Sequence, residues 1–179
     1  MTNSEFRMAE TSHRDSSLVL IALGSNLGDS ARVIRAAMDE LDQFAAMPVR
    51  RSSLWKSSPV DCPPGSPPFV NAAVAFEPAA DETTESLLTK LQAMEKKFGR
   101  RRKKLLNEPR PLDLDLIAFG SEIRASRRLI LPHPRAHLRR FVLAPLKEIA
   151  PEFVLQGQTK TIRRLLAELK TEEVISRLG

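Results

Sequence analysis

Leu112-Asp113-Leu114-Asp115-Leu116 places two carboxylates two residues apart in an alternating run. On a strand, residues i and i+2 share a face, with side chains about 6 to 7 Å apart. Bare carboxylates that close repel each other and are costly to desolvate. Hard divalent cations, held between the pair and a polyphosphate, would resolve that cost. Mg²⁺ takes oxygen ligands and is commonly bound by one or two carboxylates plus phosphate oxygens. The plainer alternative is a solvated sheet face. Arg110 stands three residues upstream, and residues 96–104, KKFGRRRKK, carry seven cations in nine positions. Carboxylates for metal beside guanidiniums for phosphate form a phosphoryl-transfer pattern.

The elements that must hold these groups can be read from periodicity. Residues 18–23, LVLIAL, form a short buried strand, followed by the turn GSNLGD. That turn lacks the Gly-Lys-Ser/Thr of a Walker A loop. Asp29 or Ser30 can cap a helix with Ile34, Ala37, Leu41 and Phe44 on its apolar face. Residues 49–56 read as extended. Residues 57–68 hold five prolines in twelve positions, which predicts a long exposed loop. In the strand expected over 69–77, Asn71 shares a face with Phe69, Ala73 and Ala75, and Val70, Ala72, Val74 and Phe76 take the other. A helix over 83–98 presents Leu87, Leu88, Leu91, Met94 and Phe98 as one stripe. Residues 112–119 form the aspartate strand. Ile123 and 129–131 suggest short edge strands, and 161–169 a last helix. Pro132, Pro134, Pro145 and Pro151 break the remainder into short pieces. The order β-α-β-loop-β-α-β predicts an α+β two-layer sandwich: an antiparallel sheet with helices packed on one face.

Composition narrows the function. The chain has 179 residues and a formal charge of +6, enough for one domain with a core. Cys62 is the single cysteine, which excludes an internal disulfide and a Cys₂ or Cys₄ zinc site. No apolar run approaches the ~18 to 20 residues of a spanning helix, so no membrane role is expected. Residues 1–17 are polar and lack the apolar core of a secretory signal. They predict a disordered N-terminal tail ahead of a single domain over 18–179, in a cytoplasmic protein.

Five segments together resemble one family: GSNLGD at 24–29, FVNAAV at 69–74, PRPLDLDL at 109–116, RLILPHP at 128–134 and RRFVLAPL at 139–146. In this order and spacing they resemble 6-hydroxymethyl-7,8-dihydropterin pyrophosphokinase over roughly 18–155. The resemblance implies a ferredoxin-like sandwich. It also implies transfer of the β,γ-pyrophosphoryl group of ATP to the hydroxymethyl oxygen of the pterin, with AMP released, in folate biosynthesis. Two Mg²⁺ ions would bind Asp113 and Asp115, with ATP as co-substrate. Arg100, Arg102 and Arg110 match the arginines that handle the triphosphate, Arg100 and Arg110 being counted as catalytic. Glu95, His133 and Arg139 match positions on the nucleotide side. Asn71 would hydrogen-bond the pterin, backbone groups around Ser57 and Val60 would add ring contacts, and Phe69 and Phe141 would sandwich the ring.

Asn107-Glu108, Pro134 and the form of the proline-rich loop depart from the family's usual pattern. None of these departures touches the aspartate pair, Asn71 or Arg110. The competing reading is a sheet that binds nucleic acid through its basic run. The absence of tyrosine, the single tryptophan (Trp55) and an acidic pair where stacking residues belong argue against it. A monomer acting on ATP and the pterin, without nucleic acid, is expected. The polycationic loop over 99–109 is expected to close over bound substrates. Hydrogen exchange of that segment should therefore slow when a nonhydrolysable ATP analogue and pterin are added; equal rates would oppose closure.

Overall fold

A computed structural model of the chain describes residues 17–101 and 108–179. Residues 1–16, where the tail is expected, and 102–107, which include Arg102 and Asn107, lie outside the described residues. The elements, in chain order, are β1 (Val19–Ser25), α1 (Ser30–Leu41), β2 (Arg50–Arg51), β3 (Trp55–Ser57), β4 (Phe69–Phe76), α2 (Thr84–Lys97), β5 (Asp113–Phe119), β6 (Arg124–Ala125), β7 (Ile130–Leu131), α3 (Arg140–Ile149), α4 (Ile162–Glu168) and β8 (Ile175–Arg177). The main sheet is antiparallel in the order β5-β1-β4-β3-β8, with β2 also on β4, while β6 and β7 form a separate hairpin. No helix among the described residues is long and apolar enough to cross a membrane.

Local chemistry accounts for the helix starts. The Asp29 carboxylate accepts from the Arg32 N–H, and the Thr83 hydroxyl from the Ser86 N–H, each satisfying a first-turn donor. α1 buries Ile34, Ala37, Met38 and Leu41, and α2 buries Leu87, Leu91 and Met94. These side chains meet Val19, Ile21, Leu23, Val74, Phe76, Leu114 and Leu116 in a core on one sheet face. Strand alternation forces the intervening residues to the other face. There Leu20, Ala73, Ala75, Ile117 and Ala118 meet Val142, Leu143, Leu146 and Ile149 of α3 and Ile162 of α4.

This second layer corrects the expectation that helices pack on one face: α1 and α2 obey it, and α3 and α4 cover the opposite side. The error came from reading Pro145 as a break. Proline lacks an N–H and crowds the carbonyl four residues back. Yet α3 runs through it, and Val142, Leu143, Ala144, Pro145, Leu146 and Ile149 are all buried. Tertiary burial outweighs the local cost. The extended stretch 49–56 is likewise divided into β2 and β3. Between them the Ser52 N–H donates to the Ala73 carbonyl, and the Ser52 hydroxyl accepts from the Ala73 N–H at 2.8 Å.

β5 carries a bulge past its aspartates. Leu20 faces Ala118 and Ile21 faces Leu116, so Ile117 is the extra residue. Its carbonyl is free to accept from the His133 N–H at 2.9 Å, which ties the segment after β7 beside the aspartate strand.

If the second layer belongs to the cooperative core, Leu143→Ala, at a fully buried α3 position, should cost about 3 kcal/mol in urea-melt stability. A loss under about 1 kcal/mol would show that α3 docks loosely.

Candidate active site

The strand register assembles the site. Gly24 of β1 pairs with Asp113 of β5 on one side and Asn71 of β4 on the other; two residues along, Ala22 pairs with Asp115 and Ala73. All six positions therefore share one sheet face. Gly24, Ala22 and Ala73 are small, so the face is hollow at its centre. A Cβ added to Gly24 would stand 3.6 Å from the Asn71 Oδ1, 3.8 Å from the Phe69 ring and 3.9 Å from the Asp113 Cβ. Above this floor opens a cleft of about 630 Å³, open solvent included. Ser57, Ser58, Val60 and Cys62 line one side, Phe69 and Asn71 the floor's edge, Arg110, Asp113 and Asp115 the other end, and Arg139, Phe141 and Val142 the roof.

The acidic end is a network of opposite charges. The Asp113 Oδ1 accepts from Arg100 Nη1 at 2.6 Å, and its Oδ2 pairs with Arg110 Nη2 at 2.7 Å. Arg100 also bridges to Glu95. The Glu95 Oε1 in turn accepts from the Leu114 N–H, between the two aspartates, at 2.8 Å. Burial raises the Glu95 pKa, and the Leu114 N–H and the Arg100 charge oppose the rise. The pKa of Asp115 is raised as well, first by burial and then by Asp113; His133, Arg139 and Arg110 pull it back. No hydrogen bond or ion pair to the Asp115 carboxylate occurs among the described residues. Burial lowers the His133 pKa, against the attraction of Asp115. The Arg110 Nε is buried and has no hydrogen-bond partner among the described residues.

The other end is suited to a flat polar ring. Asn71 is 4% exposed and donates from Nδ2 to the Ser57 hydroxyl at 2.8 Å, which fixes the amide's orientation. Phe69 and Phe141 each carry a guanidinium over the ring, Arg110 at 5.5 Å and Arg139 at 5.4 Å.

Nine residues singled out from the sequence thus line one cleft: Ser57, Val60, Phe69, Asn71, Arg110, Asp113, Asp115, Arg139 and Phe141. Glu95 and Arg100 adjoin it through Asp113. His133 borders a neighbouring hollow with Pro132, Pro134 and His137 and faces Asp115 electrostatically. Arg102 lies outside the described residues.

Sequence reasoning missed Asn26. It took GSNLGD as a turn and as one of the five family-like segments, and gave Asn26 no role. The Asn26 Oδ1 accepts from the Arg110 N–H at 2.9 Å, its N–H donates to the Arg110 carbonyl at 3.2 Å, and its Nδ2 donates to the Pro67 carbonyl at 3.3 Å. One 3% exposed side chain therefore joins the loop after β1, the proline-rich loop and the segment before β5. A polar residue directly after an apolar strand was the available signal.

Similarity to known proteins agrees with this geometry. The family model for 7,8-dihydro-6-hydroxymethylpterin-pyrophosphokinase matches residues 20–151. A Synechocystis 2-amino-4-hydroxy-6-hydroxymethyldihydropteridine pyrophosphokinase is 38% identical over 84% of this chain and 75% of its own length. The Haemophilus influenzae protein of the same name is 36% identical over 87% of this chain and 94% of its own. A crystal structure of Plasmodium falciparum HPPK-DHPS shares the fold, with a TM-score of 0.63 over 84% of this chain at 12% identity. This chain spans 43% of that longer one. Matched along most of its length by the family model and by relatives of near-equal size, the chain belongs to the 7,8-dihydro-6-hydroxymethylpterin pyrophosphokinase family.

Proposed function

We propose that the chain moves the β,γ-pyrophosphoryl group of ATP onto the hydroxymethyl oxygen of 6-hydroxymethyl-7,8-dihydropterin, releasing AMP, as a step of folate biosynthesis. The observation that carries this reading is the cross-strand row Asp113–Gly24–Asn71. It sets a carboxylate for phosphate chemistry and an amide for ring recognition on one face, two strand spacings apart, about 10 Å. A hydroxymethyl group reaching from the ring toward the phosphates spans that gap.

At the ring end, Asn71 has one N–H committed to Ser57 and keeps its carbonyl at the cleft floor, where it accepts from the pterin edge. Phe69 and Phe141 provide the stacking faces, and backbone groups near Ser57 and Val60 complete the ring contacts. At the phosphate end, Arg110, Arg100 and Arg139 supply charge, with Arg102, His133 and Glu95 assigned to the nucleotide side. The unpartnered Arg110 Nε is a donor left for a phosphate oxygen.

The donor set fits Mg²⁺. The paired aspartates offer oxygen ligands only, and no group of three or more His, Cys, Asp or Glu residues suited to a metal occurs among the described residues. The remaining positions fall to phosphate oxygens and water, as this ion prefers. Asp113 and Asp115 would hold two such ions. When bound, they would stabilise charge developing on the transferring phosphates. A cation on Asp113 would compete with its two guanidinium partners for the same carboxylate and would exchange with one of them. That exchange frees Arg100 or Arg110 for the triphosphate, so metal and phosphate binding are coupled through one side chain.

Nine of the proposed site residues line one cleft of a single chain, which supports a monomer and a single catalytic domain over 18–179. The βαββαβ core, with order β5-β1-β4-β3 and α1 and α2 on one face, is read as the ferredoxin-like unit, to which α3 and α4 add a layer.

The direct assay supplies ATP, Mg²⁺ and the pterin and follows AMP. Asp115→Ala should fold and lose activity about a thousandfold or more; retained turnover would remove the metal assignment. Asn71→Ala should raise the pterin KM about tenfold, the loss of one buried hydrogen-bonding group, with the ATP KM little changed. Gly24→Ala meets its neighbours only at ordinary contact distances and should stay active. Gly24→Leu should fill the cleft and abolish pterin binding while the melting temperature holds. Pterin binding by Gly24→Leu equal to that of the unaltered chain would show that the ring lies elsewhere.

A further inference from the structure

We propose that Glu173 is a positioning residue for the roof of the ring site, so that the chain's last stretch, after the segment matched by the family model, belongs to the active site. This rests on the reading of Phe141 as a ring-stacking residue. α3 begins without a cap of its own: Arg139, at its N-cap, makes no side-chain hydrogen bond to the first turn. The first N–H groups of a helix have no partner within it. Here Glu173, 33 positions downstream, supplies one. Its Oε2 accepts from the Arg140 N–H at 2.7 Å and the Phe141 N–H at 3.3 Å. A carboxylate at this end also meets the positive pole of the helix.

The residues around Glu173 are pinned to the opposite wall of the cleft. β8 pairs with β3, Ile175 facing Ser57. The Val174 carbonyl accepts from the Ser58 N–H at 3.3 Å, and the Leu178 N–H donates to the Leu54 carbonyl at 2.8 Å. The Thr171 hydroxyl accepts from the Glu173 N–H at 3.2 Å. Thus one short segment holds β3, which leads through Ser57 into Ser58, and delivers a carboxylate to the turn that contributes Arg139 and Phe141. That carboxylate also attracts Arg139, whose guanidinium lies over the Phe141 ring. The match to the family model ends at residue 151, before this strut begins.

The test compares Glu173→Ala, Glu173→Gln and Glu173→Asp in the full-length chain. The readouts are pterin Kd without nucleotide, both KM values, kcat and the melting temperature. Glu173→Ala should weaken pterin binding about fivefold and move the ATP KM less than about twofold. Glu173→Gln, whose amide oxygen still accepts both N–H groups, should restore binding; Glu173→Asp, one methylene short, should not. An unchanged pterin Kd in Glu173→Ala would overturn the proposal. So would equal losses for both substrates alongside a lowered melting temperature, which mark a purely structural cap. Should Glu173→Ala fail to fold, the order of Gln over Asp supports the proposal and the reverse order refutes it. Phe141→Ala separates the two readings. If it leaves pterin affinity intact, the stacking assignment falls and this proposal with it. If it loses affinity while Glu173→Ala does not, only the positioning claim fails.

Discussion

Two carboxylates on one strand face, held away from bulk water, set the problem that the rest of the site answers. Burial and mutual repulsion both oppose a charge on Asp115. The protein answers with cations rather than by removing an acid. Arg100 and Arg110 occupy both oxygens of Asp113, and Arg139 and His133 face Asp115. In a poorly solvated site an ion pair is favourable only while every member is present; removing one strands its partner. The arginines are therefore ordered by the acids they neutralise. On the proposed reading, phosphate oxygens replace the carboxylate oxygens on the guanidiniums. The substrate-free protein thus already holds its cations near where the triphosphate needs them, and less ordering entropy remains to be lost on binding.

The same three strands do a second job because side chains alternate. On one face Val19, Ile21, Leu23, Val74, Phe76, Leu114 and Leu116 build a dense core against α1 and α2. On the other, Ala22, Gly24, Ala73 and Asn71 leave room. Rigidity and space are thus properties of opposite sides of one sheet. The position of each carboxylate is fixed by leucines on the face turned away from the aspartates. A one-residue slip in β5 would exchange the aspartates with Leu114 and Leu116 and bury the acids in an aliphatic core. The register is therefore specified by a large penalty, and the bulge at Ile117 lies beyond Asp115, where it redirects the strand without moving the pair.

Much of this was legible in the chain. The Asp-Leu alternation announced the face of Asp113 and Asp115. The odd polar residue on one side of 69–77 announced Asn71. Both signals are local and periodic, and the structure bears out both faces. What escaped has no period. Asn26 acts through hydrogen bonds to loops 41 and 84 positions away, and the Leu114 N–H is satisfied from another helix. α3 was hidden because Pro145 is a true local penalty, overruled only by burial that a linear reading cannot sum. β8 is three residues long, too short for alternation to show, and exists because β3 offers it an edge.

That edge explains why the end of the chain matters to the chemistry. β3 is itself only three residues long, and without β8 it would be the sheet's outer strand, with its N–H and C=O groups unpaired on one side. Ser57 is its last residue and receives the Asn71 N–H, so the orientation of the amide depends on a three-residue strand next to the sheet's edge. Pairing with β8 gives β3 a second neighbour, and α4 packs beside α3 over the same face. The family model's match, residues 20–151, contains every described residue proposed for the reaction. The support of the ring end is drawn in part from residues after that match, through the backbone pairing of β8 with β3 and the side chain of Glu173 on the first turn of α3.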